Sequence, residues 1–404
     1  MKILVKSHRI YTERGCINGA FEVLDGKIIR IYQKENIPKH FDGEVKDFGN
    51  HRIIPGIIEM HVHGYKGWSA MSTNVDEINH LARALTTSGV TSFLPTNHYL
   101  DTVIENCKAI ALAYEGKRYG ARNLGVHMEG PFISTKVLGS VDILETHVPD
   151  IELFKTFYEA SNHHFVTLTL APEVPGNLEL IEYLVAHHIN PCIGHSNATY
   201  QECEEAIDRG AIITQKTGNC MRGIHQREVG VVGAAMLDQR IYNEINSDLA
   251  HCSKEFLEIL YKMKGYNKLC IVADNGIMSG MKCGRYELPE KGLYEVDTSG
   301  LLHISNGTID GSALSILDGI KNWVEVIKIP MEEAVVMASL NPAKLCHVED
   351  HKGSIKEFKD CDFVVIDDDY HVIETVVEGT CEYSNNTTYE YDNVIYHDYL
   401  KQPF

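Results

Sequence analysis

The chain has 404 residues, 44% hydrophobic and 23% charged, which is ordinary globular composition and enough length for one large domain beside a small one. Lys and Arg total 37 against 56 Asp and Glu, a formal charge of −19. That surplus excludes binding to a nucleic-acid backbone, and any anionic ligand must be met by locally placed Arg, Lys or His.

Residues 1–52 read as short strands and turns. Phe21, Val23 and Ile28 to Ile31 flank Asp25-Gly26 in a hairpin pattern. The opening "MKILVKSHRIYTERG" has neither an apolar core nor a cleavage site, so no signal peptide is expected. No run approaches the roughly 18 apolar residues of a membrane span, so no membrane partner is expected either. The 11 Cys are scattered without CxxC pairs, which predicts reduced thiols and a cytoplasmic protein.

From 53 to 345, apolar strands alternate with helical patterns. Strands are expected at 53–60, 90–95, 124–128, 165–171, 190–194, 211–214, 243–247 and 269–273, with helices between them at 74–88, 100–116 and 177–189, among others. Strands apolar on both faces and separated by helices form a parallel sheet. Eight such units fit a closed (β/α)8 TIM-type barrel. A doubly wound open sheet is the alternative, but no G-x-G-x-x-G follows the first strand. Residues 346–404 return to alternation around an acidic turn at 367–369 and end in a Tyr-rich polar tail. The two β-rich ends predict one small β-sandwich domain assembled from both termini.

In a parallel barrel the C-terminal strand ends share one face, where chemistry sits. Those ends carry His61 and His63, then Glu129, His195, Lys216 and Asp274, with His251 after the seventh strand. Residues two apart on a strand share a face, so His61 and His63 project together and suit one metal ion. A loop pair is the bland alternative in a chain with 21 His. Glu129 ends an apolar strand and needs a cation, which a metal or Lys216 would supply. His195 precedes a helix that Asn197 or Thr199 would cap, and Asp274 is as consistent with a cap as with a catalyst.

The series "PGIIEMHVHG", "HMEGPFIS", "LAPE", "GHSNAT", "REVGVVGAAML", "IVADNGIMSGMKCGRYEL", "GSALSILDGIKNWV" and "SLNPAKL" resembles the N-acetylglucosamine-6-phosphate deacetylase family of the amidohydrolase superfamily, in order over about residues 1–380. The resemblance implies metal-dependent hydrolysis of the N-acetyl group of an amino-sugar 6-phosphate, releasing acetate. His61, His63, Glu129 and His195 would be metal ligands for one divalent ion, or two, with Zn, Fe, Mn and Co all suited to the donors. The metal would supply hydroxide at neutral pH, and Asp274 would act as acid and base. Asn219, Cys220, Arg227 and His251 would hold the sugar phosphate. A homodimer sharing residues across its interface is implied as well.

Two positions depart from the family. Its third metal histidine falls on Lys216, whose ammonium has no lone pair to give a metal. Lys216 would instead replace a cation, pair with Glu129, or stabilise the oxyanion as part of the catalytic set. A substrate-contacting histidine falls on Val141, with His147 and His225 nearby in sequence. These departures leave two rival readings: an amidohydrolase for a different N-acyl sugar phosphate or amide, and a non-catalytic sugar-phosphate-binding relative.

Overall fold

In this computed structural model residues 2–288, 292–386 and 398–400 are described. Eight strands run Ile57–Val62, Val90–Asn97, Val126–Glu129, Phe165–Leu170, Asn190–Ile193, Ile213–Thr214, Tyr242–Asn246 and Leu269–Val272. Each pairs in parallel with the next. A parallel bridge from Val62 to Asn275 brings the end of the eighth strand back to the first, so the sheet closes into the expected barrel.

The strands are apolar on both faces because both are covered. Ile58, Met60, Leu94, Val166, Cys192, Ile213 and Val272 fill the inside. Ile57, Phe93, Val126, Leu168 and Ile271 pack outward with helix residues such as Leu81, Ile110 and Leu180. Helix Val75–Leu85 shows how the sequence builds that outer layer. Asn74 caps it by accepting from the Asp76 N–H, and Ile78, Leu81, Ala82 and Leu85, spaced three and four apart, form its buried side.

The expected strand at 53–60 divides in two. Arg52–Pro55 pairs with Phe363–Ile366 in the small sheet, and Ile57–Val62 begins the barrel. Gly56 is the joint. A Cβ there would lie 2.2 Å from Thr91 Oγ1, so only glycine lets the backbone cross from one sheet to the other at this point.

The small sheet draws on both ends of the chain, in the order 380–384, 372–377, 363–366, 52–55, 2–12, 15–24 and 27–33, with 44–47 pairing alongside 2–12. Asp25 and Gly26 both have positive φ in the tight turn between Leu24 and Lys27, as the Asp-Gly signal predicts. An ion network joins this sheet to the barrel. Lys352, almost fully buried, lies 2.8 Å from Asp362 and 3.3 Å from Glu378, and Glu378 also receives Arg122 at 2.7 Å and Arg118 at 3.2 Å.

Burial opposes the charge on Glu378, but Arg122, Lys352 and Arg118 outweigh it and hold the carboxyl at about 2, below its ordinary 4.5. A carboxylate depressed in this way stabilises the fold fully above its unfolded pKa, and that contribution is lost as pH falls through the folded value. Glu378→Gln is therefore expected to lower Tm at pH 7 and to lower it by less as pH drops from 4.5 towards 2. An equal decrement across that window in differential scanning calorimetry would contradict the linkage.

One element had no sequence forecast. After the eighth barrel strand, Gly284–Leu288, Gly292–Val296, Leu301–Ile304 and Ile309–Ser312 form an antiparallel sheet, which strand Asp398–Leu400 extends. It has its own core of Met278, Tyr286, Leu288, Val296 and Leu302. The rest of the Tyr-rich tail, 387–397 and 401–404, lies outside the described residues. Among the described residues no helix is long and apolar enough to cross a membrane.

Candidate active site

The C-terminal ends of the barrel strands open onto a cavity of about 860 Å³. His61 and His63 stand there as the strand alternation requires, their Nε2 atoms 3.1 Å apart. Asp274 Oδ1 lies 3.2 Å from the first of these nitrogens and 3.7 Å from the second. Tetrahedral donors about 2.0 Å from a zinc-sized ion are roughly 3.3 Å apart, so this triangle fits three ligands of one cation with a fourth position open. The other nitrogen of His61, Nδ1, faces Glu244 Oε2 at 3.5 Å, a carboxylate behind a ligand imidazole.

Glu129 is buried, and its two oxygens face different neighbours. Oε1 receives Lys216 Nζ and His195 Nε2, each at 2.8 Å. Oε2 lies 2.9 Å from His98 Nε2 and 3.1 Å from His63 Nε2. Lys216 also lies 3.5 Å from Asp274 Oδ2. Lys216 thus sits between the two carboxylates.

Charge follows from that placement. Burial alone would raise the Glu129 and Asp274 carboxyls, but Lys216, with His195 beside Glu129 and His61 beside Asp274, holds both far below their usual range. Burial likewise opposes a charged Lys216, and Asp274 and Glu129 reverse it, so the ammonium stays protonated. Burial also disfavours a charged His61, yet Asp274 and Glu129 raise that ring to about 10. Burial wins at His63 and pushes it down to about 4, leaving it neutral.

The backbone is strained where these groups sit. His195, Lys216, Cys220 and Asp274 have φ of 45°, 41°, 49° and 55°, a left-handed conformation that costs a non-glycine residue on the order of 1–3 kcal/mol.

Of the residues expected to hold substrate, Asn219, Cys220 and His251 line the cavity. His251 Nδ1 is fixed by Asp248 Oδ2 at 2.6 Å. Arg227 is not among the lining residues. Residues 225 and 228 pair with each other through two backbone hydrogen bonds of 3.0 Å, and this small loop carries Arg227 into solvent. Val141 is buried, while its neighbours Gly139 and Ser140 line the wall. His147 and His225 are exposed and take no place in the lining.

The sequence reading missed four carboxylates and a histidine. His98 follows the second strand and joins Glu129 to Glu145. Glu244 backs His61. Glu59, raised to about 8 by burial, accepts from the His61 and Ala273 N–H groups and so clips the first strand to the end of the eighth. Asp310, from the antiparallel sheet, enters the cavity wall with its carboxyl pushed up to about 6 by burial. A carboxylate inside an otherwise apolar strand was the available signal for Glu59 and Glu244.

Residues 52–389 match the Amidohydrolase family. The chain belongs to the amidohydrolase family. Its relatives within it include the N-acetylglucosamine-6-phosphate deacetylase of Vibrio furnissii, 32% identical over 81% of this chain and 82% of that protein. The N-acetylgalactosamine-6-phosphate deacetylase of Escherichia coli O157:H7 is 31% identical over 94% of this chain and 99% of its own. The crystal structure of N-acetylglucosamine-6-phosphate deacetylase from Pasteurella multocida superposes with a TM-score of 0.87 at 28% identity, covering 95% of this chain and all of that one. Amidohydrolases use divalent metals, and His61, His63 and Asp274 are a donor set of that kind in this one.

Proposed function

We propose that this amidohydrolase removes the acetyl group from an amino-sugar 6-phosphate, converting N-acetylglucosamine 6-phosphate and water to glucosamine 6-phosphate and acetate. The observation that carries the reading is the His61–His63–Asp274 triangle at the mouth of a barrel whose relatives are sugar-phosphate deacetylases. A divalent cation held there would polarise the amide carbonyl and make water a nucleophile at neutral pH.

The chain's own residues supply the rest. Asp274, kept ionised by Lys216 and His61, takes the proton of the attacking water and returns it to the departing amine. Lys216 presents a fixed positive charge at the reacting centre, where the oxyanion develops. His195 and Lys216 together hold Glu129 in place. His251 and Asn219 stand in the cavity wall for the sugar phosphate. Arg227, exposed outside its own cavity, is assigned to the phosphate of a partner subunit in a homodimer, where its planar fork suits an anion. The 11 free thiols fit a reducing, cytoplasmic compartment.

A different N-acyl group is the second reading, and Asp310 favours it. An acetyl methyl gains nothing from a carboxylate in the cavity wall, whereas a polar acyl group would hydrogen-bond to one. Acetate release from N-acetylglucosamine 6-phosphate by metal-loaded protein, with a chelated sample alongside, tests the first reading. Chelator-sensitive release is expected. No release from folded, loaded protein would exclude it, and turnover of an N-hydroxyacetyl analogue instead would establish the second.

A further inference from the structure

We infer that His98 is a ligand of the bound cation, acting with His63 and Glu129, and that Glu145 is its positioning residue. This rests on the metal-dependent reading above. His98 sits directly after the second barrel strand, Val90–Asn97, and so lines the same cavity as His63, Glu129 and Asp274. His63, His98 and Glu129 each present a ligand atom, and these atoms all lie within 4.8 Å of one another.

The two oxygens of Glu129 differ in what they can still bind. Its Oε1 is already taken by Lys216 and His195 at 2.8 Å. A dication placed there would lie against a fixed ammonium, and like charges at contact distance in a buried site repel strongly. No ammonium lies beside Oε2, only imidazoles, whose ring proton a metal ion can displace. The groups nearest it are the imidazoles of His98 and His63, at 2.9 and 3.1 Å, and either can give a lone pair once deprotonated. Lys216 therefore shifts any ion that uses Glu129 towards the second strand.

Glu145 prepares His98 for that task. It lies in the short turn Ile143–Glu145, and its Oε2 is 3.1 Å from His98 Nδ1. A carboxylate facing Nδ1 favours the tautomer that carries its proton there and so leaves the Nε2 lone pair for the cation, as behind many metal-bound histidines. The same contacts also suit a protonated His98 pinned between Glu129 and Glu145 as a plain ion pair. Metal binding distinguishes the two.

The probes are Zn²⁺ and Co²⁺ alone, titrated into full-length protein against a competing chelator, with the visible absorption of the Co²⁺ form recorded. His98→Gln is expected to weaken binding at least ~10-fold and to alter the Co²⁺ spectrum, with Glu145→Gln losing ~10–100-fold through the ring it holds. His195→Gln, on the Lys216 side of Glu129, is expected to lose less than His98→Gln. Circular dichroism confirms that each variant is folded, and Glu145→Gln serves if His98→Gln is not. Wild-type affinity and an unchanged spectrum in both His98→Gln and Glu145→Gln would overturn the inference, as would an equal or greater loss in His195→Gln. A wild-type protein that binds neither ion would instead overturn the metal-dependent reading itself.

Discussion

Asp274→Asn is expected to keep the fold and lose at least ~100-fold in hydrolysis, the usual scale for removing a general base. The substitution preserves shape. The Asp274 carbonyl still receives the Ser312 N–H at 3.1 Å, and the side chain still meets Asn246 Nδ2, 3.5 Å away. What is lost is the ability to accept a proton, since an amide is not a base at neutral pH. Because Asp274 is also one corner of the cation triangle, turnover is measured at saturating metal and bound metal is counted per chain. A variant that holds its ion but does not release acetate separates proton transfer from metal binding. Near-normal turnover in a loaded variant would remove Asp274 from the acid–base role.

Much of this site was legible because a parallel barrel makes its chemistry conspicuous. Strands buried on both faces are written as apolar runs, so His61, Glu129, His195, Lys216 and Asp274 stand out as polar residues at their ends. The barrel itself was legible for the same reason. What escaped was non-local or lacked contrast. His98 falls in the polar run "NHYLD", where nothing marks it off from an ordinary loop. Glu244 matters through His61, 183 residues away in sequence. The sheet of residues 284–312 is made of strands of four and five residues broken by turns, too short for alternation to identify. Arg227 shows the opposite limit: its residue type suits a phosphate, but its loop carries it out of its own cavity.

Lys216 is the residue on which the electrostatics of the site depend, and two substitutions read its role from opposite sides. Lys216→Met removes the ammonium from between Glu129 and Asp274, leaving His195 as the partner of Glu129 Oε1. Breaking a buried pair by deleting one member costs about 3–5 kcal/mol, because the remaining charge is uncompensated. A loss of that order is expected in the metal-free protein by denaturant unfolding. Added metal should recover part of it, since a dication restores positive charge beside the same carboxylates. Lys216→His replaces the cation with a lone-pair donor across from His195, both facing Glu129 Oε1. It is expected to create a seat the wild-type protein lacks, so that the variant binds one more ion per chain by elemental analysis. An unchanged metal count in Lys216→His, together with an unchanged stability in Lys216→Met, would mean that the ammonium is not standing in for a cation. Lys216 would then be a residue for the substrate alone, and the preference of this amidohydrolase for its acyl group would be sought in the contact between that ammonium and the ligand.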